Sequence, residues 1–106
     1  MSWFYLTLAG LFEIGWPLGI RLAQTPEDRL RGGFMALVCI ALSGVFMWLA
    51  QRQIPMGTAY AVWTGIGAAG TYLVGGLYYG DPTSLGRSLG VFLIVLGVAV
   101  LKWAGD

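Results

Sequence analysis

The sequence predicts an all-α membrane protein of four transmembrane helices, and three observations predict it. Of 106 residues, 58% are hydrophobic and 10% charged, with a mean hydropathy of +0.75, a balance far more apolar than that of a water-soluble domain. The apolar residues fall into four segments, each near the roughly 20 residues that cross a bilayer core. Stretches such as Val91 to Leu101 are apolar throughout, whereas the strands of a membrane barrel would alternate apolar and polar residues.

Each element follows from what bounds it. The first helix is expected over 3–20, with Arg21 after it. The stretch Gln24 to Arg31 contains Pro26, Glu27, Asp28 and Arg29, offers no apolar face and reads as a loop. A second helix covers 33–50 and ends at the turn Gln51, Arg52, Gln53. Pro55 suits a first helical turn, where a missing N–H costs nothing, so the third helix runs over about 56–79. Gly80, Asp81, Pro82 and Thr83 make a tight turn, and the fourth helix covers 85–103, closed by Lys102 and Asp106. Loops this short leave no room for a soluble domain, so residues 1–106 form a single transmembrane domain whose function resides in its helices. The start Met-Ser-Trp has no basic segment, and the first apolar stretch carries Glu13 and lacks a small-residue cleavage site, so it is expected to be a retained helix.

Composition also excludes function classes. A net charge of +1 with no run of Lys or Arg lacks the electrostatic footprint of nucleic-acid binding. One cysteine, Cys39, and no histidine leave no disulfide framework and no Cys/His metal cluster within the chain; Cys39 reads as a small buried hydrophobe. No cofactor and no metal are expected.

The 17 glycines carry more information. Gly86, Gly90 and Gly97 recur at spacings of four and seven, close to one face of the fourth helix, and small residues in lipid let helix backbones approach. They are a candidate dimer seam. Gly65 and Gly67 flank Ile66 in the third helix and are a candidate hinge.

The chemistry centres on Glu13. A carboxylate mid-way along a membrane helix costs about 2.5 to 3.5 kcal/mol to insert, so its default reading is functional. A purely structural carboxylate would need a buried cationic partner, and the other three helices carry none in their interiors; Arg21, two turns away, is expected to reach for water. Withdrawal from water disfavours the charged form of a carboxyl group, which lets a proton and a cation compete for it. Trp16 lies three residues from Glu13 on the same face, and Tyr60 and Trp63 share a face of the third helix, where aromatic rings can hold a cation. For all three, simple packing is the alternative. Trp3 and Trp103, near the chain's ends, suit the membrane interface. Ser43 can donate to the carboxylate or back to its own helix. Pro17 has no N–H, so the carbonyl of Glu13 loses its helical partner.

On these residues the chain resembles the small multidrug resistance family. Leu11-Phe-Glu-Ile-Gly-Trp16, Pro55-Met-Gly-Thr-Ala-Tyr-Ala-Val-Trp-Thr-Gly-Ile-Gly67 and the ending from Gly97 to Lys102 carry the likeness, which covers the whole chain. Trp16 and the Trp-Thr-Gly-Ile-Gly run from Trp63 are more similar to the guanidinium exporter branch than to the exporters of polyaromatic cations. The resemblance implies a transporter, not an enzyme: an antiparallel, dual-topology homodimer that exports guanidinium-type cations against protons. The expected location is the cell inner membrane, as a multi-pass protein; a broader quaternary ammonium exporter of the same family is the alternative. It makes Glu13 the shared proton and substrate carboxylate, and Trp16, Ser43, Tyr60 and Trp63 the lining of its site. Pro17 and Arg21 depart from the branch, which usually has alanine and lysine there, and the loop Thr25 to Arg31 lacks the usual aromatic.

A chain this small cannot enclose a pathway alone, so two copies are expected to bring two Glu13 carboxylates into one cavity. Orientation follows the Lys and Arg balance of short loops. Arg52 and Lys102 fall on one side, and Arg21, Arg29, Arg31 and Arg87 on the other, a weak instruction that is compatible with insertion both ways.

Overall fold

The computed structural model describes residues 1–105, and Asp106 lies outside the described residues. Four helices follow one another: α1 Ser2–Leu22, α2 Arg29–Ala50, α3 Met56–Tyr78 and α4 Leu85–Gly105. At 1.5 Å per residue each is about 30 Å or more long, the thickness of a hydrocarbon core. The segment Pro26–Ala50, which contains α2, and the helix α4 are apolar enough by length and composition to cross a membrane. The other two helices, α1 and α3, carry more polar and small residues, Glu13, Thr58, Thr64 and Thr71 among them.

The first connection differs from expectation. Residues 24–31 are not all loop: Pro26–Asp28 form one 3-10 turn and α2 starts at Arg29. Thr25 is extended before Pro26, as the residue preceding a proline prefers. Arg31 then reaches back to Asp28 at 2.8 Å, one helical turn away, so charges that look like loop sit on the first turn of a helix. Periodicity of apolar residues could not reveal a polar first turn. At Gly80 the chain turns with φ +67, a conformation that favours glycine.

Helix α1 lies between α2 and α3, and α4 packs chiefly on α3. The result is a flat body of 46 × 34 × 16 Å. Glycine decides how closely α1 meets its neighbours. Against α2, a Cβ at Gly19 would stand 2.6 Å from the carbonyl oxygen of Gly32, so backbone touches backbone there. Gly15 faces Cys39 on the same side. Against α3, Gly10 receives Ile66, while Gly70 receives Ile14. The two helices thus exchange knobs for holes, with residue numbers rising together, and run parallel. The core of Leu6, Ala9, Met47, Ala50, Ile54, Ala59 and Val62 sits at the end where α1 and α3 begin and α2 finishes.

Two contacts fix which loops share an end. Ser2 Oγ donates to Gln53 Oε1 at 3.0 Å, and Lys102 Nζ lies 5.0 Å from the ring centre of Trp3. Arg21 and Asp81 meet at the other end. Arg52 and Lys102 therefore occupy one end, and Arg21, Arg29, Arg31 and Arg87 the opposite one.

Gly65 and Gly67 lie within an uninterrupted α3. Gly65 receives Val98 of α4, with Val98 Cγ2 2.5 Å from where a Cβ would stand. No residue of α4 is buried, and nothing comes within 4 Å of a Cβ placed at Gly86, Gly90 or Gly97.

Candidate functional site

Glu13 sits half-buried in the middle of α1, on the side that faces α3. Its stem passes directly over Gly67. A Cβ at that position would be 2.6 Å from Glu13 Cγ and 3.3 Å from its Cβ, so any larger residue would push the carboxylate aside. Gly67 is thus a positioning residue by its lack of a side chain, a role that spacing within α3 alone could not disclose.

A chain of hydrogen bonds joins three helices beside the carboxylate. The indole N–H of Trp63, on α3, donates to Ser43 Oγ on α2 at 2.8 Å. The Ser43 hydroxyl donates to the carbonyl of Ala9 on α1 at 2.8 Å. The same oxygen lies 3.5 Å from Glu13 Oε1, a long contact compared with its bond to Ala9. A hydroxyl carries one proton, so Ser43 has two acceptors in reach and can serve one at a time. Ser43 is 1% exposed and is the one buried polar side chain among the described residues. Its bond crosses to another helix rather than returning to its own.

Two cavities meet at Glu13, which is the one residue lining both. The first, about 430 Å³, runs between α1 and α3 past Pro17, Thr64, Thr71 and Tyr72 to Asp81. The second, about 310 Å³, is walled by Trp16, Ile40, Gly44 and Trp63. The carboxylate therefore has a more polar groove on one side and an aromatic one on the other. Tyr60 is brought to Trp63, with ring centres 5.4 Å apart and planes tilted by 57°, but it lines neither cavity and is itself exposed. It touches the site through the tryptophan.

Arg21 does not simply reach for water. Its Nη1 pairs with Asp81 Oδ1 at 3.0 Å, and its guanidinium carbon lies 4.8 Å from the ring centre of Tyr79. Neither the pairing of Asp81 nor the seating role of Gly67 shows in the sequence, because both come from what α1 places against them. An acidic residue closing a short loop carries no signal of its own.

What the arrangement can do follows from its parts. A carboxylate with open space on two sides, backed by a hydroxyl and an indole N–H, can hold a proton or a small cation without covalent chemistry. Three long helices around such a group, with a fourth packed outside them, point to a class, the small helical membrane transport proteins. The Small Multidrug Resistance protein family model matches residues 1–94, and the chain belongs to that family. A protein of Yersinia pseudotuberculosis named Guanidinium exporter is 41% identical over 104 residues, covering 98% of this chain and 99% of its own length. Proteins of the same name from Citrobacter freundii and Salmonella typhimurium are each 40% identical over 102 residues, 96% of both chains.

Ser43→Ala tests the hydrogen-bond chain. It leaves the part-buried Trp63 N–H without its acceptor, at a cost of about 1 kcal/mol, the usual net worth of one hydrogen bond. We expect lower resistance to denaturation in detergent and a changed Trp63 emission, measured in a protein retaining Trp63 as its sole tryptophan. An unchanged spectrum and melting profile would mean that the chain does not hold Trp63.

Proposed function

We propose that this protein is a proton-coupled antiporter that exports guanidinium-type small cations, with Glu13 as the shared site. The observation that carries the proposal is Glu13 itself, held over Gly67 between two cavities with Ser43 and Trp63 beside it. Proton and cation both neutralise the same carboxylate, so each expels the other. Competition of this kind is exchange, provided the site opens to one side of the membrane at a time.

Guanidinium is favoured as substrate class by two things. Relatives about 40% identical over almost the whole chain bear the name Guanidinium exporter. The groove between α1 and α3 also carries hydroxyl and carboxylate acceptors at Thr64, Thr71 and Asp81, which suit a planar cation with N–H donors. A quaternary ammonium ion has no donors to satisfy them. The walls Trp16 and Trp63 could nonetheless hold one by its charge, which makes the quaternary ammonium exporter the second reading.

The working unit is an antiparallel homodimer in the cell inner membrane, all four helices crossing it, with each copy inserted in either orientation. Support comes from α4, which has no buried residue and keeps Gly86, Gly90 and Gly97 open, the pattern of a seam awaiting a helix. The weak charge difference between the two ends, Arg52 and Lys102 against Arg21, Arg29, Arg31 and Arg87, supports insertion both ways. Gly65 and Gly67 are places on α3 where Val98 of α4 and Glu13 pack close against the backbone, and movement between the two faces of the site would turn there.

Purified protein in liposomes tests the exchange. Guanidinium added to one side should drive protons to the other, tetramethylammonium should do so far less, and Glu13→Gln should abolish both. Cation binding should weaken as the pH falls, because protons then compete for Glu13. Equal transport of both cations would favour the quaternary ammonium reading, and proton flux surviving in Glu13→Gln would refute the role of the carboxylate.

Orientation is tested separately. A single cysteine in a tag after Asp106 should be labelled by an impermeant reagent from both sides of the membrane. Two or three lysines added at the C-terminus should cancel or reverse the small bias, whereas the same lysines added to the first loop should confine labelling to one side and inactivate the chain when expressed alone. One-sided labelling of the active, unmodified protein would contradict dual topology.

A further inference from the structure

The groove that begins at Glu13 ends at a second carboxylate, Asp81, which already holds a guanidinium, that of Arg21. We propose that Asp81 is an outer docking carboxylate for the exported cation, and that Arg21 is its tethered occupant, displaced when a substrate guanidinium arrives. The proposal rests on the guanidinium reading above and adds a second station to it.

The two partners are anchored very differently. Asp81 is fixed by the end of α3: its backbone N–H donates to the carbonyl of Gly75 at 3.0 Å, and its Oδ2 lies 2.5 Å from where a Cβ at Gly75 would stand. A side chain at Gly75 would push the carboxylate out of place, so the glycine seats it. Asp81 therefore keeps its position whether or not Arg21 is bound.

Arg21 is the movable member. It stands on α1 eight residues beyond Glu13, about 12 Å along the axis at 1.5 Å per residue, and one turn past Pro17, which lines the same groove. Its side chain is long, and it already lies over the Tyr79 ring. When it leaves Asp81 the guanidinium keeps the ring and gains water, so no charge is stranded. Both side chains of the pair are close to half exposed, and ion pairs this accessible are weak. One guanidinium replaces another on the carboxylate, and because Arg21 stays beside Tyr79 the mouth of the groove carries one more positive charge while substrate is docked, which favours its onward passage.

The arrangement also selects. A site whose resident is a guanidinium offers acceptor geometry for a planar cation with N–H donors, so discrimination would begin at the mouth, before Glu13 is reached. The hydroxyls of Thr71 and Thr64 line the groove inward from there.

The test exploits the sign of two substitutions. If the Arg21–Asp81 pair merely ties α1 to the loop before α4, Asp81→Asn and Arg21→Gln both break it and should disturb guanidinium exchange alike. If Asp81 receives substrate and Arg21 competes for it, the effects are opposite. In liposomes, Asp81→Asn should raise the KM for guanidinium about two- to fivefold, the scale of a half-exposed charge contact. Arg21→Gln should lower KM. The double exchange, Arg21→Asp with Asp81→Arg, re-forms the pair but puts a cation at the mouth; its KM should exceed that of Asp81→Asn. Equilibrium affinity at Glu13, read from substrate-induced tryptophan fluorescence in detergent, should change less than KM in all three, which also establishes that each variant is folded. KM shifts of the same sign in the two single variants, or a wild-type KM in the exchanged one, would overturn the docking role. Absence of guanidinium exchange in the wild-type protein would overturn the functional reading and this proposal together.

Discussion

The structure depends on one constraint: a carboxylate must be carried in the middle of an apolar helix that is packed on two sides. A charge there is expensive in lipid, and the cost is tolerable only if the group keeps polar company and some access to water. Both needs act on α1. Its face toward α2 brings Ser43 to the carbonyl of Ala9 and within 3.5 Å of Glu13. Its face toward α3 lays the Glu13 stem over Gly67 and opens the groove toward Asp81.

The small residues of α1 and α3 are consequences of that constraint. Ile66 meets Gly10 and Ile14 meets Gly70, so the two helices approach closely on either side of the carboxylate without a bulky layer between them. Close approach leaves Glu13 nowhere to lie except across a glycine. Ser43, buried and shared between the Trp63 N–H, the Ala9 carbonyl and the carboxylate, then links all three helices through one oxygen. Under the proposed function, loss of a proton or a cation at Glu13 would change what that oxygen is offered. The outermost helix takes no part in this, and α4 is left with an open glycine face.

Much of this is legible from the residues in order. Four apolar segments, a lone carboxylate at Glu13 and the aromatic positions Trp16 and Trp63 can be read because each is unusual within its own helix. Pairings across helices cannot. Ser43 alone is ambiguous between its own backbone and a neighbour's, and only the depth at which α2 meets α1 selects Ala9. Gly67 and Gly65 look like a flexible pair in sequence, and what spacing alone does not disclose is that in space one seats Glu13 and the other admits Val98. Arg21 and Asp81 are 60 positions apart, and nothing local to either predicts their union. The start of α2 at Arg29 is hidden in the sequence because its first turn is held by an Asp28–Arg31 pair and not by an apolar face.

If one carboxylate answers to both proton and cation, binding of the cation must release protons, and that release can be measured. Guanidinium is titrated into the detergent-solubilised protein in weak buffer, with the pH of the solution followed. Protons should be released as guanidinium binds, with fewer released as the starting pH is raised and Glu13 is already ionised, and none in Glu13→Gln. Guanidinium binding that releases no protons at any pH, or release that persists in Glu13→Gln, would contradict a shared site.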